Sequence, residues 1–231
     1  MSLDTIHTAI SNWNTYRQNA SKANDYISQG NFFTISRELY ETWKNADPEN
    51  GEPAFIHAYL GVPDDGALTI YLVTDQADQA APPTLEQITS CPWQSDVALH
   101  QSIPRFGDID PTGQINILTG LERFFRWHLQ KVRWFTDNAI NEQGEHNIFQ
   151  AFNIPFSDLT AIFNADINGV QNEEALVVIG LDNEHKAELI LWGDTFQSIE
   201  MIADVSFPVP PFKPPHLQSN YKLLIAAGAT P

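Results

Sequence analysis

The sequence predicts an α+β protein built from two similar halves. Three observations carry that prediction: a long apolar helix over Leu121 to Ala139, two hairpin signals, and a match of the chain to itself at a shift of 119 positions. In the helix, Leu121, Phe125, Leu129, Val132, Phe135 and Ala139 recur at three- and four-residue steps and so share one face. Phe124, Trp127 and Trp134 form a second apolar stripe beside it, which predicts cover on more than one side.

Before this helix, Asp4 to Ala20 reads as helical, with Ser2 or Asp4 as cap and Ile6, Ile10, Trp13 and Tyr16 on one face. Ser21 to Ser28 reads as a second short helix, and Phe33 to Asn45 as a third, closed by the breakers in NADPENGEP. Ala54 to Leu60 and Leu68 to Thr74 are β-rich runs around GVPDDG, the first hairpin signal. ADQAAPP reads as a linker, and TLEQITSCPW is ambiguous between helix and strand. After the long helix come a short helix near Ser157 to Asn164 and a second hairpin, Ala175 to Ile179 with Ala187 to Trp192. FPVPPFKPPH reads as a polyproline-like segment excluded from a sheet interior, followed by a short apolar tail.

The shift of 119 aligns Ile6 to Asp75 with Phe125 to Asp194 without a gap. It superimposes the helix faces, both hairpins and the tripeptide Asn45-Ala46-Asp47 on Asn164-Ala165-Asp166. A tandem duplication is the expectation, with residues 1–110 and 111–231 each forming a helix-helix-hairpin lobe whose antiparallel sheet packs on its own helices.

Net charge is −17, which disfavours nucleic acid and anionic membrane surfaces as partners. No run reaches the roughly 18–20 apolar residues of a membrane span. The start lacks the features of a signal peptide, so a soluble, cytoplasmic protein is the expectation. A lone cysteine, Cys91, excludes an internal disulfide and reads as a small buried hydrophobe.

Signatures of phosphate loops, nucleophile elbows, dinucleotide sites and zinc sites are missing. Asp108-Ile-Asp110-Pro-Thr112-Gly113 and Asn164, Asp166, Asn168 before Gly169 each resemble half a calcium loop. Both lack the closing glutamate and read better as turns, so no metal and no cofactor is expected. The histidines at 7, 57, 100, 128, 146, 185 and 216 show no ligand spacing.

The sharpest asymmetry is a basic edge on the long helix: Arg123, Arg126, Lys131 and Arg133. It reads as a surface for an anionic group or an acidic partner, as a solvated edge whose arginine stems cover apolar neighbours, or, the preferred reading, as a face docked on residues 1–110, which hold 5 cations against 15 anions. The functional expectation is a non-catalytic protein-binding or accessory protein with an acidic surface, with homo-oligomerisation open. The alternative is a hydrolase or metal-dependent enzyme with a site at the junction of the lobes, its first suspects Asp108, Asp110, Glu142 and Glu145.

Overall fold

The computed structural model describes residues 1–46, 51–95, 117–139, 147–167, 169–194, 202–209 and 220–228. Helix α1 (Leu3–Tyr16) starts where the Ser2 side chain accepts from Thr5 N, and it buries Ile6, Ala9, Ile10 and Trp13. Helix α2 (Ala20–Ile27) is capped in the same way by Asn19. The stretch read as one helix from Phe33 divides instead into strand β1 (Phe32–Ser36) and helix α3 (Arg37–Lys44). Ser36 decides the boundary: its side chain accepts from Leu39 N and caps α3, while the alternating FFTIS run before it suits a strand.

Strands β2 (Phe55–Gly61) and β3 (Thr69–Thr74) form the first hairpin. The supposed linker after them holds helix α4 (Asp75–Ala80), capped by Thr74. TLEQITSCPW resolves into a 3-10 turn (Leu85–Gln87) and strand β4 (Thr89–Pro92). The second half supplies α5 (Ile117–Ala139), β5 (Ala151–Pro155), α6 (Phe156–Asn164) and a small β6–β7 ribbon (Asp166–Ile167, Val170–Gln171). It continues with β8 (Glu174–Leu181), β9 (Ala187–Gly193), β10 (Ile202–Val209) and α7 (Lys222–Ala226).

The strands of both halves, apart from the β6–β7 ribbon, join one antiparallel sheet in the order β1-β8-β9-β10-β5-β2-β3-β4. The two halves therefore share a sheet and do not build one each. Its outer strands also meet. Phe32 bridges Gln94 just after β4, with Asn31 N donating to Gln94 O at 2.7 Å and Gln94 N to Phe32 O at 2.8 Å. The sheet thus closes on itself, and closure is what removes exposed edges.

Two seams join the halves, β1 on β8 and β5 on β2, and they have the same register. Phe33↔Val177 at one seam becomes Phe152↔Ala58 at the other when each number moves by 119. The hairpins agree likewise: Ile56↔Thr74 corresponds to Ala175↔Gly193.

Strand β10 takes up part of the proline-rich segment, against the expectation that it stays out of the sheet interior. Pairing explains this: β9 pairs with β10 only from Ile202 to Ser206, and β5 takes over from Phe207 to Val209. Pro208 has a strand neighbour on one side alone, the situation in which a missing N–H is tolerated. The rest of that segment, 210–216, lies outside the described residues.

Alternate residues point into the closed sheet, among them Phe33, Ile35, Ala58, Leu60, Phe152, Val177 and Leu189, all in one apolar cluster. The void left among them is about 10 Å³ and its wall is apolar, so it is a packed core with no room for a ligand. Helix α1 lies outside β2 and β3, where Ile6, Ala9 and Ile10 meet Tyr59, Tyr71 and Val73. Helix α5 lies outside β8 and β9, where Leu121 and Phe124 meet Val178, Ile190 and Trp192. An aromatic group of Trp13, Trp127, Trp134, Phe135 and Phe149 joins the two helices to the core. Among the described residues, no helix is long and apolar enough to cross a membrane.

Glycines set the approach of the two helices. A Cβ at Gly61 would stand 2.5 Å from Tyr71 Cε2 and 3.1 Å from Ala9 in α1. At Gly180, 119 positions later, it would stand 2.5 Å from Ile190 Cδ1 and 3.4 Å from Arg123 Cβ in α5. Both side chains are fully buried, but the methyl end of Ile190 can turn about its own bonds, whereas the Tyr71 ring is rigid and the Ala9 backbone stands close behind Gly61. Gly61→Ala is therefore expected to destabilise by about 1–3 kcal/mol and Gly180→Ala by less, read from urea denaturation midpoints. Equal losses would show that the ring moves as freely as the methyl.

Candidate functional site

Three places combine chemistry with position: the outer face of α5, a buried polar network under α7, and a groove beside α3.

On α5 the structure inverts part of the sequence reading. Leu121, Phe135 and Ala139 are buried as expected, but Phe125 is 42%, Leu129 85% and Val132 63% exposed. The stripe Phe124, Trp127 and Trp134 takes the inner side instead. Large aromatic side chains bury more area than Leu or Val, and Trp134 gains a hydrogen bond from its Nε1 to His185 O at 2.9 Å.

The four cations of the helix differ. Arg123 pairs with Glu188 at 3.0 Å, mostly buried. Arg126 pairs with exposed Glu122 one turn away and donates to Leu181 O at 3.1 Å. Arg133 reaches Asp137 at 3.3 Å, and both side chains are well exposed. Among the described residues, these ion-pair partners lie in residues 111–231. Lys131 makes no ion pair among the described residues, and partial burial lowers its ammonium pKa.

The buried network was not legible as a site. On the outer face of β2 and β5, His57 Nδ1 lies 2.7 Å from Asp78 Oδ2, and Tyr59 donates its hydroxyl to the same oxygen. Leu223 N donates to Asp78 Oδ1 at 2.8 Å, so a carboxylate of α4 caps the N-terminus of α7, whose own N-cap residue Tyr221 makes no side-chain cap bond. Tyr221 stacks on His57 at 4.5 Å and accepts from Asn153 Nδ2 at 2.6 Å. Asp78 is 0% and His57 2% exposed. No substrate reaches this His–Asp pair in the closed structure; it works as a clasp that holds the C-terminal helix. His57 stood in the apolar run of β2 and Asp78 in an apparent linker. Only a histidine inside a strand that is otherwise buried could have hinted at a partner.

The other sequence candidates separate. Asp108, Asp110, Glu142 and Glu145 lie outside the described residues, as do His100, His146 and His216. Gly169 turns the β6–β7 ribbon with φ 81°, which supports a turn there. Among the described residues, no three His, Cys, Asp or Glu side chains group as a metal site would require. Cys91 is buried and free, and burial pushes its thiol up to about 11.

The groove, about 480 Å³, runs between α3 and the α4-to-β4 segment. Leu39, Trp43 and Ala77 line its apolar side, and Thr74, Glu86 and Thr89 its polar side.

Comparison with protein-family models, with curated proteins and with solved structures finds no match.

Asp78→Asn replaces the acceptor of three donors with an amide, and the expected cost is about 3–5 kcal/mol, as when a buried pair loses one partner. Chemical denaturation measures it, and a loss below about 1 kcal/mol would remove the clasp.

Burial, then the charge of Asp78, holds the Tyr59 phenol well above its ordinary value, and Tyr221 is raised as well. Folded values above unfolded ones mean this stability is complete below about pH 10 and is lost as pH rises beyond it. Tyr59→Phe should therefore flatten the loss of stability on the alkaline side, and a slope equal to wild type would contradict the assignment.

Proposed function

We propose that this chain is a non-catalytic protein-binding module, formed by tandem duplication, that receives a partner on the outer face of α5. The observation that carries the binding reading is the stripe Phe125, Leu129 and Val132, exposed side by side at four- and three-residue steps. The matching registers of the two seams and the two hairpins at one shift support the duplication.

Charge narrows the partner. Arg126 and Arg133 flank the stripe at consecutive equivalent positions, seven residues apart. The Arg133–Asp137 pair is solvent-exposed and worth only about 0–1 kcal/mol, so a partner's carboxylate can replace it. An amphipathic acidic helix supplies both an apolar stripe and those carboxylates. An antiparallel second copy of α5 would instead set Arg126 and Arg133 against their own kind. Arg123 belongs to the support of this face through Glu188, and Lys131 borders it. A cytoplasmic setting is part of the same proposal.

Leu129→Glu tests it. An 85% exposed residue should leave stability within about 0.5 kcal/mol, while recovery of bound protein by affinity capture falls at least tenfold relative to wild type. Raising the salt concentration should weaken the wild-type capture, because the charge contribution is exposed. Identical capture by both proteins would overturn the assignment of α5, and a concentration-dependent dimer lost in Leu129→Glu would replace the acidic partner by a second copy.

A further inference from the structure

We infer that the groove between α3 and the α4-to-β4 segment binds a neutral, hydroxyl-rich ligand of the size of a disaccharide. This site is distinct from the outer face of α5 and stands independently of the protein-binding reading. Its volume of about 480 Å³ lies within the range of small-molecule sites.

The lining selects the chemistry. Among the described residues that line the groove, Glu86 is the one formally charged residue, and there is no lysine, arginine or histidine. With a chain charge of −17 around it, phosphates and carboxylates are repelled. The single carboxylate among those residues is also too few ligands for a hard cation. What remains is a neutral molecule with both C–H faces and hydroxyl groups. The apolar side, with Leu39 and Trp43, suits the former. On the polar side, the Glu86 carboxylate and the Thr89 hydroxyl make no side-chain hydrogen bond among the described residues, and neither does the Trp43 indole N–H, which can therefore donate to a ligand.

The frame around these groups is held in place before any ligand arrives. Thr84 and Gln87 close a capping box around the turn that carries Glu86. Thr74 caps α4 through Ala77 N, and Gln76 Nε2 donates to Gly51 O at 3.1 Å. A preformed polar frame lowers the ordering cost of binding. The site belongs to the first half alone, since Trp43 corresponds under the 119-residue shift to Ile162, which is wholly buried.

Saturation-transfer NMR and calorimetry on the full chain test this with maltose, cellobiose and N,N′-diacetylchitobiose as probes, and glucose 6-phosphate as the charged control. At least one neutral disaccharide should bind saturably, without competition from glucose 6-phosphate. Thr42→Trp, which fills the groove from an exposed position, and Glu86→Ala, which removes the acceptor, should each weaken binding at least tenfold. The melting temperature of Glu86→Ala should stay at the wild-type value, which keeps the test valid if Thr42→Trp fails to fold. No binding by any of the three disaccharides overturns the site. So does binding that survives Glu86→Ala unchanged, or equal binding of glucose 6-phosphate.

Discussion

Everything else in this fold depends on the pairing of strands at the two seams. Each half contributes four strands of the sheet, and by itself would leave β2 or β8 with an open edge. β5 covers the first and β1 the second, and in each case the covering strand comes from the other half. A row of unpaired backbone groups beside an apolar core is costly and prone to association. The halves therefore complete each other, and the core they enclose belongs to both. Phe33 and Phe152 occupy corresponding places in it, each supplied by a seam strand.

Around this shared core the two halves use their outer faces differently. In the first half, β2 presents His57 and Tyr59, which with Asp78 hold α7 in place. The corresponding positions of β8 are Leu176 and Val178, and they meet α5 through apolar contact. A helix of five residues has no stability of its own, so α7 needs both the Asp78 cap and the burial of Leu223 and Leu224. The long α5 needs no such clasp. Its aromatic stripe holds it on the sheet and leaves Phe125, Leu129 and Val132 outside. One architecture thus yields a fastened face on one side and a free apolar face on the other.

The sequence by itself determined the period of each long element, and with it the α+β class. Helix α1, both hairpins and the span of α5 follow from local patterns: caps, apolar spacing and turn residues act within a few positions. The 119-residue shift was also legible, since it compares one stretch of the chain with another. What local pattern could not decide is which of two adjacent apolar stripes on α5 faces inward, because both have helical spacing. The larger aromatic set prevails only because Trp192 and Ile190 of the sheet, and Phe149 just before β5, are there to receive it. The division of Phe33 to Asn45 has a local marker in the Ser36 cap, but β1 is held as a strand by β8, which gives it a partner. The same holds for the polar sites. Asp78 meets Leu223 across 145 positions, and the groove borders α3 with residues from beyond β3. Such meetings are made by the closure of the sheet, and closure is a property of the whole chain that no window of sequence contains.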